Sequence, residues 1–222
     1  MLYSDDAKEC ELPLAGVLIG IDPGHQGKGN SRPEPIAPGA GETKASVSSG
    51  TAGVSSGVDE HVVNLQVAQK LRRLLEEQGA DVLMTRESAD VDIPNSERAQ
   101  MMNEAGADLV LRIHCNGTDN RSTKGAFILV PSGGYTEEIQ EESTAAAKAI
   151  LAAFIEATGA NDRGVSERSD QTGFNWSTVP VCNIEMGHMS NPEEDELLVS
   201  DAYQEKCARG LFEGILRYFE NK

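Results

Sequence analysis

The strongest constraint on the fold is an alternation of two patterns. Short apolar runs rich in branched side chains take turns with longer stretches whose apolar positions recur at helical spacing. Residues 17–22 (VLIGID), 81–85 (DVLMT), 109–114 (LVLRIH), 125–130 (GAFILV) and 181–186 (VCNIEM) read as strands. Between them, residues 64–78 place Leu65, Ala68, Leu71, Leu74 and Leu75 on one helical face and stop at Gly79. Asn95 or Ser96 is suited to cap a helix that runs to Ala105 and ends at Gly106. Residues 135–158 form a long helix, and residues 201–220 an amphipathic one with Tyr203, Cys207, Leu211, Ile215 and Phe219 on one side. The alternation implies an α/β fold: a single domain built on a twisted, mostly parallel sheet flanked by helices on both faces. Ligands of such sheets bind at the carboxyl ends of the strands.

One stretch breaks the pattern. Residues 26–59 are crowded with Gly, Ser, Pro and Ala, and read as a long loop inside a domain spanning 17–222, with 1–16 as an N-terminal segment. Loops of that length in a compact domain are usually functional or mobile.

Charge narrows the functions available. The 222 residues carry 36 acidic and 19 basic side chains, a formal charge of −17. That surface does not suit nucleic acid, which needs a basic patch, nor docking on an anionic membrane by charge. No apolar run approaches the roughly 18 residues of a membrane span. The first residues carry Asp5, Asp6 and Glu9 rather than a basic start and an apolar stretch, so the chain is either cytosolic or a form from which a leader has been removed. Cys10, Cys115, Cys182 and Cys207 lack CxxC spacing, which argues against a zinc knuckle or a thioredoxin-type site. They read as buried thiols; Cys10 and Cys207, near the two termini, are placed to pair in an exported protein.

Polar residues at strand ends are the candidates for chemistry. His25 follows the first strand through Asp22-Pro23-Gly24, His114 ends the third, and Glu185 lies near the end of the fifth. Glu60 stands between the Gly/Ser-rich stretch and the first helix. Two imidazoles and a carboxylate make a His₂Glu set, a donor set of catalytic zinc, with His25, Glu60 and His114 as ligands. Glu185 is then free to move a proton. No HExxH motif ties these residues together, so only the fold can unite them. A structural role for either histidine, and helix N-terminal stabilisation by Glu60, stay open at this level. Glu185 is the most telling, because a carboxylate in an apolar strand is costly unless paired, protonated or functional. A nucleophilic site is disfavoured: Cys115 and His114 are adjacent in a strand and point to opposite faces, and Ser190 lacks a GxSxG context. His61 and His188 are spare imidazoles, read as neighbours or substrate contacts.

Four segments carry a resemblance. IDPGHQGKG (21–29), DEHVVNLQVAQKL (59–71), MTRESADVDIPNSERAQMMNEAGADLVLRIHCNG (84–117) and VCNIEMGHMSNPEED (181–195) occur in this order, and from about Val17 to Phe219 the chain resembles the zinc-dependent N-acetylmuramoyl-L-alanine amidases of the bacterial cell wall. The resemblance implies one Zn²⁺ held by His25, Glu60 and His114, with Glu185 as the catalytic carboxylate. It implies peptidoglycan as substrate, cut at the amide between the lactyl group of N-acetylmuramic acid and L-alanine of the stem peptide. It also implies a secreted or cell-wall location. No wall-binding repeat is present in the sequence, which leaves room for a wall-targeting module outside this chain. Two features depart from the family: the long 26–59 segment, and His188 where relatives carry an aromatic residue. A zinc carboxypeptidase acting on the stem peptide and a catalytically silent wall-binding module are the rival readings.

Overall fold

The apolar runs pair into a twisted sheet, described here over residues 12–222 from a computed structural model. In chain order the elements are β1 (Leu18–Pro23), β2 (Asn30–Pro35), β3 (Thr43–Val47), α1 (Glu60–Glu76), β4 (Asp81–Met84), α2 (Asn95–Ala105), β5 (Leu109–Asn116), β6 (Ala126–Pro131), α3 (Gln140–Thr158), β7 (Asp162–Arg168), α4 (Thr172–Asn175), β8 (Val181–His188), α5 (Pro192–Leu198) and α6 (Asp201–Glu220). Six strands form one sheet in the order β4-β1-β5-β8-β6-β7. The first four are mutually parallel, β6 runs antiparallel to β8, and β7 is parallel to β6. The sheet is therefore mixed, with a parallel majority.

Alternation along each strand sorts the side chains between two faces. On β5, Leu109, Leu111, Ile113 and Cys115 join the large core; on β8, Cys182, Ile184 and Met186 do the same. Helices α1, α3 and α6 cover that face with Val67, Leu71, Leu75, Ile150, Phe154, Leu211 and Ile215, all fully buried. The other face carries a smaller cluster around Met102, Val110, Leu129, Phe174 and Val181, covered by α2 and α4. Glu185 and Asn183 on β8, and His114 and Arg112 on β5, share that second face toward the strand ends, out of the large core. Helices α3 and α6 pack very closely. A Cβ added at Gly214 would lie 2.3 Å from the Ile150 Cα, and one at Gly210 would lie 2.8 Å from the Phe154 Cα.

The structure departs from the sequence reading in several places. Residues 26–59 are not a plain loop. They contain the antiparallel hairpin β2–β3, irregular between Asn30 and Pro33. Two prolines hide this ribbon in the sequence, and prolines are tolerated only on edges and at irregularities. The hairpin is anchored by the rest of the protein, not by an apolar face of its own. Asn95 donates to the Ser46 carbonyl (2.6 Å) and Trp176 to the Pro35 carbonyl (2.9 Å). Glu34 accepts from the Ser96 amide (3.0 Å) and hydroxyl (2.6 Å), so a distant carboxylate caps α2 where a local Asn or Ser was expected. Strand β7, α4 and α5 were missed; β7 is a polar edge strand with little apolar signal. Residues 135–139 precede α3, and there Ile139 packs into the smaller cluster. Cys115, Cys182 and Cys207 are buried, while Cys10 lies outside the described residues, and with it the Cys10–Cys207 pairing. Among the described residues no helix is long and apolar enough to cross a membrane.

Candidate metal centre and active site

His25, Glu60 and His114 converge at the carboxyl ends of β1 and β5. Their donor atoms all lie within 4.8 Å of one another. His25 Nε2 is 3.1 Å from Glu60 Oε2 and 3.2 Å from His114 Nδ1, which is itself 3.1 Å from Glu60 Oε1. Bonds of about 2.0–2.2 Å to a tetrahedral zinc place neighbouring donors roughly 3.3 Å apart. The two imidazoles stand at about that spacing from each other and from the Glu60 carboxylate, which meets them with its two different oxygens.

Each donor is aimed by its surroundings. His25 sits in a left-handed conformation, φ 62°, that non-glycine residues rarely adopt. Two arginines hold the turn there. Arg98 donates to the Pro23 and His25 carbonyls, and Arg86 to the Pro23 and Gly24 carbonyls. His25 Nδ1 donates to the Ser48 carbonyl at 2.9 Å. A carbonyl only accepts, so Nδ1 carries the proton and Nε2 keeps a lone pair for the cluster, a common device in metal sites. Gly24 passes so near the His114 ring that a Cβ there would lie 2.1 Å from Cε1. Glu60 occupies the first turn of α1, and its carboxylate is held from several sides. Its carboxylate accepts from the Thr51 and Cys115 amides at 3.1 Å each, and from the Asn64 side chain at 3.2 Å.

Protonation states match the donor role. Burial drives the His114 imidazole down to about 4, against the pull of Glu60, so it is neutral at pH 7. Burial opposes ionisation of Glu60, yet the two imidazoles beside it, His114 first and then His25, outweigh it and hold the carboxyl well below the usual range. The Cys115 thiol is pushed up by burial, first of all, and by nearby carboxylates, which leaves it inert as a nucleophile.

Glu185 stands beside His114 in register on β8 and lines the same cavity, of about 480 Å³. Its Oε1 accepts from the Asn183 amide at 3.0 Å. Burial, reinforced by the charge of Glu60, lifts its carboxyl to about 8; the Asn183 hydrogen bond and Arg112 pull the other way. Behind this layer Asp22 accepts from Thr85 (2.7 Å), Arg98 (2.8 Å) and Arg112 (2.9 Å). That buried network ties β1, β5 and α2 together under the cluster.

His61 and His188 stand apart from the donor triangle. The His188 backbone amide donates to Glu194, 2.7 Å away, joining the end of β8 to α5. Several partners were not singled out from the sequence. Arg112 and Asn183 were findable, since each lies two residues before a candidate on the same strand face. Asn64 was too, one helical turn after Glu60. The Ser48 carbonyl and the Thr51 amide come from the hairpin segment and leave no side-chain signal.

An α/β sheet that gathers two imidazoles and a carboxylate at its strand ends, with a second, raised carboxyl beside them, has the makings of a hydrolase. The N-acetylmuramoyl-L-alanine amidase family model matches residues 19–217, and the chain belongs to that family. It is 30% identical to the germination-specific N-acetylmuramoyl-L-alanine amidase of Bacillus subtilis (strain 168), over 99% of this chain and 86% of that protein. It is 29% identical to the N-acetylmuramoyl-L-alanine amidase Rv3717 of Mycobacterium tuberculosis, over 91% of this chain and 86% of that one. Among solved structures, the N-acetylmuramyl-L-alanine amidase Ami1 of Mycobacterium smegmatis superposes with a TM-score of 0.86 at 27% identity, covering 94% of this chain and 99% of that chain.

Proposed function

We propose that this protein is a zinc-dependent peptidoglycan amidase. It hydrolyses the amide between the lactyl carbonyl of N-acetylmuramic acid and the L-alanine of the stem peptide. The observation that carries the reading is the triangle of His25 Nε2, Glu60 and His114 Nδ1 beside Glu185 in one cavity, in a chain of this family. His25, Glu60 and His114 hold one zinc ion. When bound, zinc supplies Lewis acidity toward a carbonyl and a water that ionises near pH 7. Glu185 takes up the proton of the attacking water and returns it to the departing alanine nitrogen, which is otherwise a very poor leaving group. A carboxyl raised to about 8 sits near the operating pH, where uptake and release of a proton are both inexpensive. Asn183 fixes one oxygen of that carboxyl. The catalytic domain spans 17–222 and acts at the cell wall, where its substrate lies.

Mass spectrometry of digested muropeptides, with and without chelator, tests the reading. The expected products are a glycan ending in an intact lactyl carboxylate and a stem peptide with a free L-alanine amine. Chelator should abolish their release and added zinc restore it. Loss of a terminal amino acid would instead indicate a carboxypeptidase. Muropeptide binding without release would indicate a silent wall-binding module.

A further inference from the structure

The catalytic cavity has a second polar region. Besides His25, Glu60, His114 and Glu185 it is lined by Lys44, Arg168 and Asp170. Lys44 comes from β3 of the hairpin, Arg168 ends β7, and Asp170 follows it. Arg168 grips Asp170 with Nε and Nη2, both at 2.8 Å. Lys44 donates to the Asp170 carbonyl at 2.5 Å and lies 3.3 Å from its carboxylate.

Two cations therefore share one carboxylate, and the cluster keeps a net positive charge in a chain of −17. Donors are left over. Arg168 Nη1 and the third N–H of Lys44 have no hydrogen-bond acceptor among the described residues. The side chains are 46% and 41% exposed, so water there is exchangeable. Asp170 meanwhile fixes the guanidinium fork in advance, which lowers the ordering cost of binding. A guanidinium edge with spare donors beside an ammonium suits a carboxylate. A cavity of about 480 Å³ is large enough for a short peptide stretching from the donor triangle to this cluster.

We propose that Lys44 and Arg168 form the subsite for a substrate carboxylate, that of the stem-peptide residue following L-alanine. This rests on the amidase reading above. That residue is joined through its side-chain carboxyl in γ-linked stems, which leaves its α-carboxylate free or amidated. The enzyme then favours the free acid, because the amide removes the charge the two cations face.

The test uses two muropeptides that differ only in this group, free acid or amide, with the zinc-loaded wild type, Arg168→Gln and Lys44→Gln. Wild type should show the lower KM for the free acid. Arg168→Gln should raise the KM for the free acid roughly tenfold more than for the amide, the worth of one charge-assisted hydrogen bond. Lys44→Gln should shift the two substrates apart in the same direction. Equal losses on both substrates would overturn the subsite and reduce the cluster to a latch between hairpin and β7. So would a wild type indifferent to amidation. Absence of turnover on either substrate would instead overturn the amidase reading, and the subsite with it.

Discussion

Glu185 is the residue on which chemistry and stability can both be read. Glu185→Gln should keep zinc and lose turnover by about 10²–10⁴, the usual worth of general acid–base catalysis. Near-normal turnover on muropeptides would remove Glu185 from the reaction. A thermodynamic consequence follows from its carboxyl being raised to about 8. A carboxyl whose folded value exceeds its unfolded one contributes fully below the unfolded value, near 4.3, and that contribution is lost as pH rises through about 8. In metal-free protein, Glu185→Gln should therefore melt above wild type, with a gap that opens between about pH 4.5 and 8. Thermal melts across that range decide it; a gap of constant size would contradict the raised value. This residue was legible in the sequence because β8 is otherwise apolar there. His25 and His114 were legible as strand-end imidazoles. Their aim was not, since it depends on a left-handed backbone and on the Ser48 carbonyl.

Among the periodic helices α6 was read to the residue and α1 and α3 to within five residues at an end, whereas elements held by distant contacts were not read. Helix α6 announces its core face through Tyr203, Cys207, Leu211 and Ile215. Helix α1 starts at Glu60, earlier than its leucine pattern suggests, and this puts the Glu60 carboxylate in the first turn. The β2–β3 hairpin escaped because Glu34, Asn95 and Trp176 stabilise it from outside its own sequence. At this scale the close pairing of α3 with α6 makes a prediction with an unusual sign. Alanine is a better helix former than glycine by about 1 kcal/mol. At Gly214, however, a Cβ would press on the Ile150 backbone at 2.3 Å. Gly214→Ala should thus destabilise by about 1–3 kcal/mol, the usual cost of overpacking. Urea unfolding measures it, and a stabilised variant would show that the two helices are further apart than described.

Over the whole molecule, one buried charge network joins the sheet to the site. Burial opposes ionisation of Asp22, but Arg98, Arg112 and Thr85 outweigh it and hold its carboxyl far below the ordinary range. Its contribution is therefore present above about pH 4 and is lost as pH falls further. Asp22→Asn should cost about 3–5 kcal/mol at pH 7, since it leaves two buried guanidiniums short of their counter-charge. The difference from wild type should narrow at pH 3; urea titrations at both pH values check this, and an equal difference would contradict the charge argument. The sheet's parallel majority was foreseeable from the alternation of strands and helices. The antiparallel β6 was not, because apolar periodicity carries no strand direction. All of this architecture serves one claim, that three side chains distant in sequence bind one ion. Elemental analysis of purified protein tests it most directly. One zinc per chain is expected in wild type and in Glu185→Gln, and almost none in His114→Ala. Full zinc in folded His114→Ala, or none in zinc-supplemented wild type, would contradict the account.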